Sequence, residues 1–127
     1  MKLGYELYLE HILDHYRNPR NYGKLDDATV KHTDTNIPCG DELTYYLKIE
    51  DNKISKVGFI GQGCVLSMAS ASILSEKIKN MEIDEINKLD EEYIYNILGI
   101  RPGPARSKCV LLSLKVLKKA VEKLDRV

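Results

Sequence analysis

Asp41-Glu42-Leu43-Thr44-Tyr45-Tyr46-Leu47-Lys48-Ile49-Glu50-Asp51-Asn52-Lys53-Ile54-Ser55-Lys56-Val57-Gly58-Phe59-Ile60 is the stretch that decides the architecture. Leu43, Tyr45, Leu47 and Ile49 alternate with Glu42, Thr44, Tyr46, Lys48 and Glu50, the period of two expected of a strand with one face buried. Asp51-Asn52 suits a two-residue turn, and Ile54, Val57, Phe59 and Ile60 supply the returning strand. The stretch therefore predicts an antiparallel hairpin.

Working outward, residues 28–32 offer a short first strand, which makes the sheet three-stranded. On the other side Gly61-Gln62-Gly63 breaks the sheet. Residues 64–80 then read as a helix carrying Leu66, Ile73, Leu74 and Ile78, in which Ser67, Ala69, Ser70, Ala71 and Ser72 permit close packing. Residues 81–98 suggest one or two short helices with Asp84 and Asp90 as N-caps. After a Pro/Gly break at residues 101–104, Val110, Leu114, Leu117, Val121 and Leu124 mark the buried stripe of a last helix, with Ser107 as its N-cap. At the other end Tyr5, Tyr8, Leu9, Ile12, Leu13 and Tyr16 fall at helical spacing, most simply a core-packed helix that Asn18-Pro19 ends. The expected class is α+β: one domain over residues 1–127, a small antiparallel three-stranded sheet with helices packed on it.

Composition narrows the function. The 127 residues are 43% hydrophobic and 30% charged, sufficient for both a core and a polar surface, so disorder is not expected. Nineteen basic residues balance nineteen acidic ones, which leaves no excess positive field to draw the chain to nucleic acid. No apolar run approaches the ~20 residues of a membrane helix, and residues 1–10 lack the apolar core of a signal peptide, so a cytoplasmic protein is expected. Charge is uneven, however. Residues 76–92 hold seven acidic and three basic side chains, residues 101–127 eight basic and two acidic, either as solvated helix faces or as a docking surface.

Three cysteines, an odd number with no Cys-x-x-Cys pair, do not form a disulfide framework. Cys39, Cys64 and Cys109 each lie near a Gly or Pro turn signal, where buried core residues are uncommon. Cys64 opens a helix, and a Ser107 N-cap would put Cys109 in the first turn of another. Positive helix ends favour thiolate over thiol, and Lys108 beside Cys109 acts in the same sense. Cys39 and Asp41, two apart at the start of a strand, would point to one side. Three sulfurs and one carboxylate suit zinc or an iron-sulfur cluster, and the harder oxygen donor suggests a transient cargo.

At this point the chain resembles the IscU/NifU-like iron-sulfur cluster assembly scaffold family, including its SufU branch. The likeness spans nearly the whole chain. It rests on His15-Tyr16-Arg17-Asn18-Pro19-Arg20-Asn21-Tyr22-Gly23, Pro38-Cys39-Gly40-Asp41, Gly61-Gln62-Gly63-Cys64 with Ser67 to Ser72, and Lys108-Cys109. The resemblance implies a scaffold, not a turnover enzyme, that builds a 2Fe-2S cluster from iron and persulfide sulfur and passes it to apo iron-sulfur acceptor proteins. A cysteine desulfurase is the implied sulfur donor. Cys39, Asp41, Cys64 and Cys109 are the implied cluster or zinc ligands, Asp41 the labile one, and Cys109 the implied persulfide acceptor. A homo-oligomer that completes the ligand set is possible.

Three departures qualify the likeness. Lys108 stands where IscU proteins carry histidine before the third cysteine, as in SufU proteins, and a charged lysine cannot ligate metal. The interval from Cys64 to Cys109 is nevertheless too short for the insertion that SufU proteins carry. The Leu-Pro-Pro-Val-Lys motif for a dedicated Hsp70-type chaperone is replaced by Gly103-Pro104-Ala105-Arg106-Ser107, so that partner is not expected. The competing readings are a zinc-dependent sulfurtransferase relaying persulfide through Cys109, and a binding module with a structural metal and a Lys-rich working helix. His11 and His15, four apart, are expected on a helix surface or facing a partner, and His32 is expected to be structural.

Overall fold

A computed structural model describes residues 4–126. The order is α1 (Gly4–Arg17), β1 (Val30–Asn36), a 3-10 turn (Ile37–Cys39), β2 (Asp41–Glu50), β3 (Lys53–Gln62), α2 (Val65–Ile78), α3 (Ile83–Asn87), α4 (Glu91–Leu98) and α5 (Pro104–Glu122), with a closing 3-10 turn (Lys123–Arg126). The sheet runs β1-β2-β3, antiparallel throughout. Asp51 and Asn52 both take positive φ, 52° and 62°, the left-handed pair that matches the twist of a tight hairpin.

Leu43, Tyr45 and Leu47 of β2 are fully buried and meet Ile73 and Leu74 of α2 and Val116 and Leu117 of α5 in one core. Tyr45 Oη donates to Ala71 O at 2.7 Å, so its polar end is satisfied inside that core. The other face of β2 is not simply solvent. Thr44 and Tyr46 are also buried, because β2 is central and the loop after α1 returns over β3, where Gly58 lies against Gly23 O and Leu25.

Several boundaries differ from expectation. β1 covers residues 30–36, not 28–32, and so reaches the turn that carries Cys39. α3 is capped at Glu82, whose N–H donates to Glu85 Oε1, and Asp84 lies inside its first turn. Asp90 caps α4 as expected, accepting from Tyr93 N at 2.9 Å. α5 starts at Pro104 behind a Gly103 N-cap, one turn earlier than Ser107, because proline's missing N–H costs nothing at the first helical position.

The largest departure is α1. Of its expected core stripe only Ile12 is buried, while Tyr8, Leu9, Leu13 and Tyr16 are 37–46% exposed; the side chain of Tyr5 lies outside the described residues. His15, expected on the surface, is buried instead and bonds through Nδ1 to Ser72 Oγ at 2.7 Å. That hydroxyl also accepts from Arg20 N at 2.9 Å, so it ties His15 to the chain that follows α1. His32 is half-buried on β1, its Nε2 3.6 Å from Asp34. Two α5 lysines and the one that follows the helix have partners within the chain: Lys115 with Asp34, Lys118 with Asn87 O and Lys123 with Lys31 O. No helix among the described residues is long and apolar enough to cross a membrane.

Candidate metal centre

The β1–β2 connection builds the site. Asn36 pairs with Asp41 across the tip, and Ile37 to Gly40 make the turn between them. Pro38 favours a tight 3-10 turn, and Gly40 ends it at φ 70°, a left-handed position where a glycine carries no Cβ penalty. Cys39 is therefore on a turn, not on the strand. It and Asp41 come together because the chain reverses there, not by strand alternation.

Cys109 projects from the second turn of α5 and Cys64 is the N-cap of α2. The ligand atoms of Cys39, Asp41 and Cys109 lie within 4.8 Å of one another. Cys109 Sγ donates to Cys39 Sγ at 3.1 Å and receives Asn36 Nδ2 at 3.6 Å. Cys64 stands beside this set, with its sulfur turned to its own helix, where it accepts from Ser67 N at 3.4 Å. Three of the four expected ligands are thus assembled as one group, with the fourth at its margin.

Asp41 is held at both oxygens. Oδ1 accepts from Cys64 N at 3.0 Å and Oδ2 from Ser67 Oγ at 2.7 Å. Burial works against its charge, but the bonds from Ser67, Cys64 N, Cys109 and Asn36 outweigh it and hold the carboxyl below the usual range. Gly63 is required beside it, because a Cβ there would lie 2.4 Å from Oδ1.

The sulfurs divide. Burial raises the Cys64 thiol, but the hydrogen bonds from Ser67 prevail and hold it below its ordinary value, consistent with a thiolate at a helix N-terminus. Cys109 behaves oppositely to the expectation of a dipole-stabilised thiolate. It is 0% exposed, beyond the first turn, and burial with the bonds to Cys39 and Asp41 pushes its thiol up to about 12. Lys108 is exposed on the rim of a groove with Ile37 and Pro38 and does not offset this. A bound cation would reverse the balance, because it displaces the proton of a coordinating thiol, which is released to solvent. Cys39, exposed at the tip, is the sulfur a partner reaches first.

The donor set fits a soft-to-borderline metal: two sulfurs and a carboxylate oxygen, open on the Cys39 side. Sequence reasoning missed two residues. Asn36 carries no motif and is found only through its pairing with Asp41. Ser67 was read as a small packing residue, although its place three after Cys64, the N-cap to N3 relation, was the available signal.

The family described as NifU-like N-terminal domain matches residues 7–126. The chain is 41% identical to the iron-sulfur cluster assembly scaffold protein IscU of Thermotoga maritima, over 94% of this chain and 96% of that one. It is 37% identical to the zinc-dependent sulfurtransferase SufU of Bacillus subtilis, over 92% and 90%. Among solved structures, the N-terminal part of a NifU-like protein from Brucella abortus superposes with a TM-score of 0.79 over 95% of this chain and 96% of that one; at 20% identity this is a likeness of fold.

Proposed function

We infer the function from the premise that the chain belongs to the NifU-like N-terminal domain family: it is a scaffold on which an iron-sulfur cluster is built and from which the cluster is passed on. The observation that supports this most directly is the mixed donor set, with Cys39, Asp41 and Cys109 within 4.8 Å of one another at an exposed hairpin tip. Thiolates bind iron-sulfide centres firmly, whereas a carboxylate is a harder donor and leaves sooner. A cluster with one such ligand is cargo rather than a resident group.

In this proposal the cargo is a 2Fe-2S unit made from iron and sulfane sulfur, the latter delivered as persulfide by a cysteine desulfurase. A thiolate of the Cys39–Cys109 pair attacks the outer persulfide sulfur, the new S–S bond forms, and the desulfurase cysteine leaves as thiolate. Cys39 is the exposed entry, and Cys109, the acceptor implied by the family likeness, lies 3.1 Å behind it. A thiol reductant then supplies the electrons that turn sulfane sulfur into sulfide. Acceptors are apo iron-sulfur proteins, and Cys64 completes the ligand set by turning its sulfur inward.

A zinc-dependent sulfurtransferase is the second reading. Lys108, which leaves no histidine ligand at that position, and the likeness to the Bacillus subtilis sulfurtransferase favour it. Anaerobic incubation with ferrous iron, cysteine, a thiol reductant and a cysteine desulfurase separates the two. A scaffold accumulates stoichiometric iron and acid-labile sulfide with sulfide-to-iron charge-transfer bands, and Asp41→Ala slows their loss several-fold. A relay keeps zinc, accumulates no labile sulfide and shows persulfide on Cys39 or Cys109 by mass spectrometry.

A further inference from the structure

We propose that Ser67 is a positioning residue of the metal centre, the group that keeps the Asp41 carboxylate in the ligand set. The proposal rests on the reading of Asp41 as a ligand.

Four buried serines line α2; two of them fasten it to other helices and a third to the loop after α1. Ser70 Oγ bonds Val110 O and Ser113 Oγ, Ser72 bonds His15, and Ser75 bonds Asn21 and Arg20 O. Ser67 differs because all its side-chain bonds go to the site. Its hydroxyl lies 2.7 Å from Asp41 Oδ2, 3.2 Å from Cys109 O and 3.4 Å from Cys64 Sγ, and its N–H caps the same Cys64 sulfur. One 2%-exposed side chain therefore touches three of the four candidate ligands, each on a different element.

A serine hydroxyl has a single proton. Asp41 Oδ2 is the nearest acceptor and the charged one, so the proton goes there in a charge-assisted bond. Oδ1 is taken by Cys64 N, beside Gly63, whose missing Cβ leaves the space the carboxylate occupies. Both oxygens are thus pinned by the N-terminus of α2, and the carboxylate is oriented so that its ligand atom stays within 4.8 Å of both sulfurs. Without the hydroxyl, Oδ2 loses its short charge-assisted bond, and the carboxylate is held less firmly beside the sulfurs by Cys64 N, Cys109 and Asn36. Loss of an orienting partner behind a ligand typically costs about 10–100-fold in metal affinity.

Alanine is the best helix former, so Ser67→Ala leaves α2 intact, which thermal melting of the metal-free variant verifies. Zinc affinity, read by competition with a chromogenic chelator, is the test. It is measured on the wild type, Ser67→Ala, Ser70→Ala, Asp41→Ala and the Asp41→Ala/Ser67→Ala pair. The expected result is a loss of about 10-fold or more for Ser67→Ala, none for Ser70→Ala despite its buried bonds, and no further loss when Ser67→Ala is added to Asp41→Ala. Unchanged affinity in Ser67→Ala, an equal loss with and without Asp41, or an Asp41→Ala variant as tight as wild type overturns the proposal. Wild type that takes zinc but never accumulates iron and sulfide refutes the scaffold instead, and leaves the Ser67 result standing.

Discussion

α1 and α5 carry the same kind of sequence signal and meet opposite fates. The α5 stripe is buried throughout its helical span, with Val110 and Leu117 at 0% exposure, because β1, β2 and α2 surround it. The α1 stripe buries Ile12 and packs Tyr8 over Gly99 but is otherwise open, its docking completed by His15 on Ser72. Periodicity identifies a face that wants cover; only the surrounding elements supply it. One helix is therefore held by apolar burial and the other largely by a polar latch.

The contrast can be broken in three places. Leu117→Ala in α5 should cost about 2–5 kcal/mol in urea unfolding, as a fully buried leucine does when its cavity cannot collapse. Acidification should act on α1 instead. Burial, with Arg20 and His11 nearby, lowers His15 to about 4, so the folded state keeps the imidazole neutral while the unfolded chain protonates near 6.5. Its contribution is thus complete above pH 6.5 and is lost as the pH falls toward 4, amounting to at most about 2 kcal/mol by pH 5. Urea midpoints at pH 7 and pH 5 measure this, and His15→Gln should flatten the difference. The smallest effect is Leu13→Ala, expected within about 0.5 kcal/mol because its side chain is already partly in water. A Leu13→Ala cost close to that of Leu117→Ala would mean that α1 is covered in solution.

The same distinction explains what could be read in advance. The β2–β3 hairpin was legible because alternation and Asp51-Asn52 are local signals that agree with the tertiary packing. Cys39 and Asp41 were correctly paired for an incorrect reason: a turn closed by Gly40 joins them, where strand alternation was expected. Cys109 was placed at a helix end because Pro104 was taken as a break, although it is the first residue of α5. Its burial, and with it the raised thiol, followed from that one-turn difference. Ser67 and Asn36 act through residues far away in the chain, and such bonds leave no periodic trace.

Cobalt(II) titration tests the assembled centre most directly, because its visible spectrum reports both coordination geometry and sulfur ligation. If Cys39, Asp41 and Cys109 form one centre, the wild type gives intense tetrahedral bands with thiolate-to-cobalt charge transfer. Cys39→Ser and Cys109→Ser should each lower that charge-transfer intensity, and Ser70→Ala should leave it unchanged. A weak octahedral spectrum without charge transfer, or one indifferent to both cysteine substitutions, would contradict the centre on which the proposed function rests.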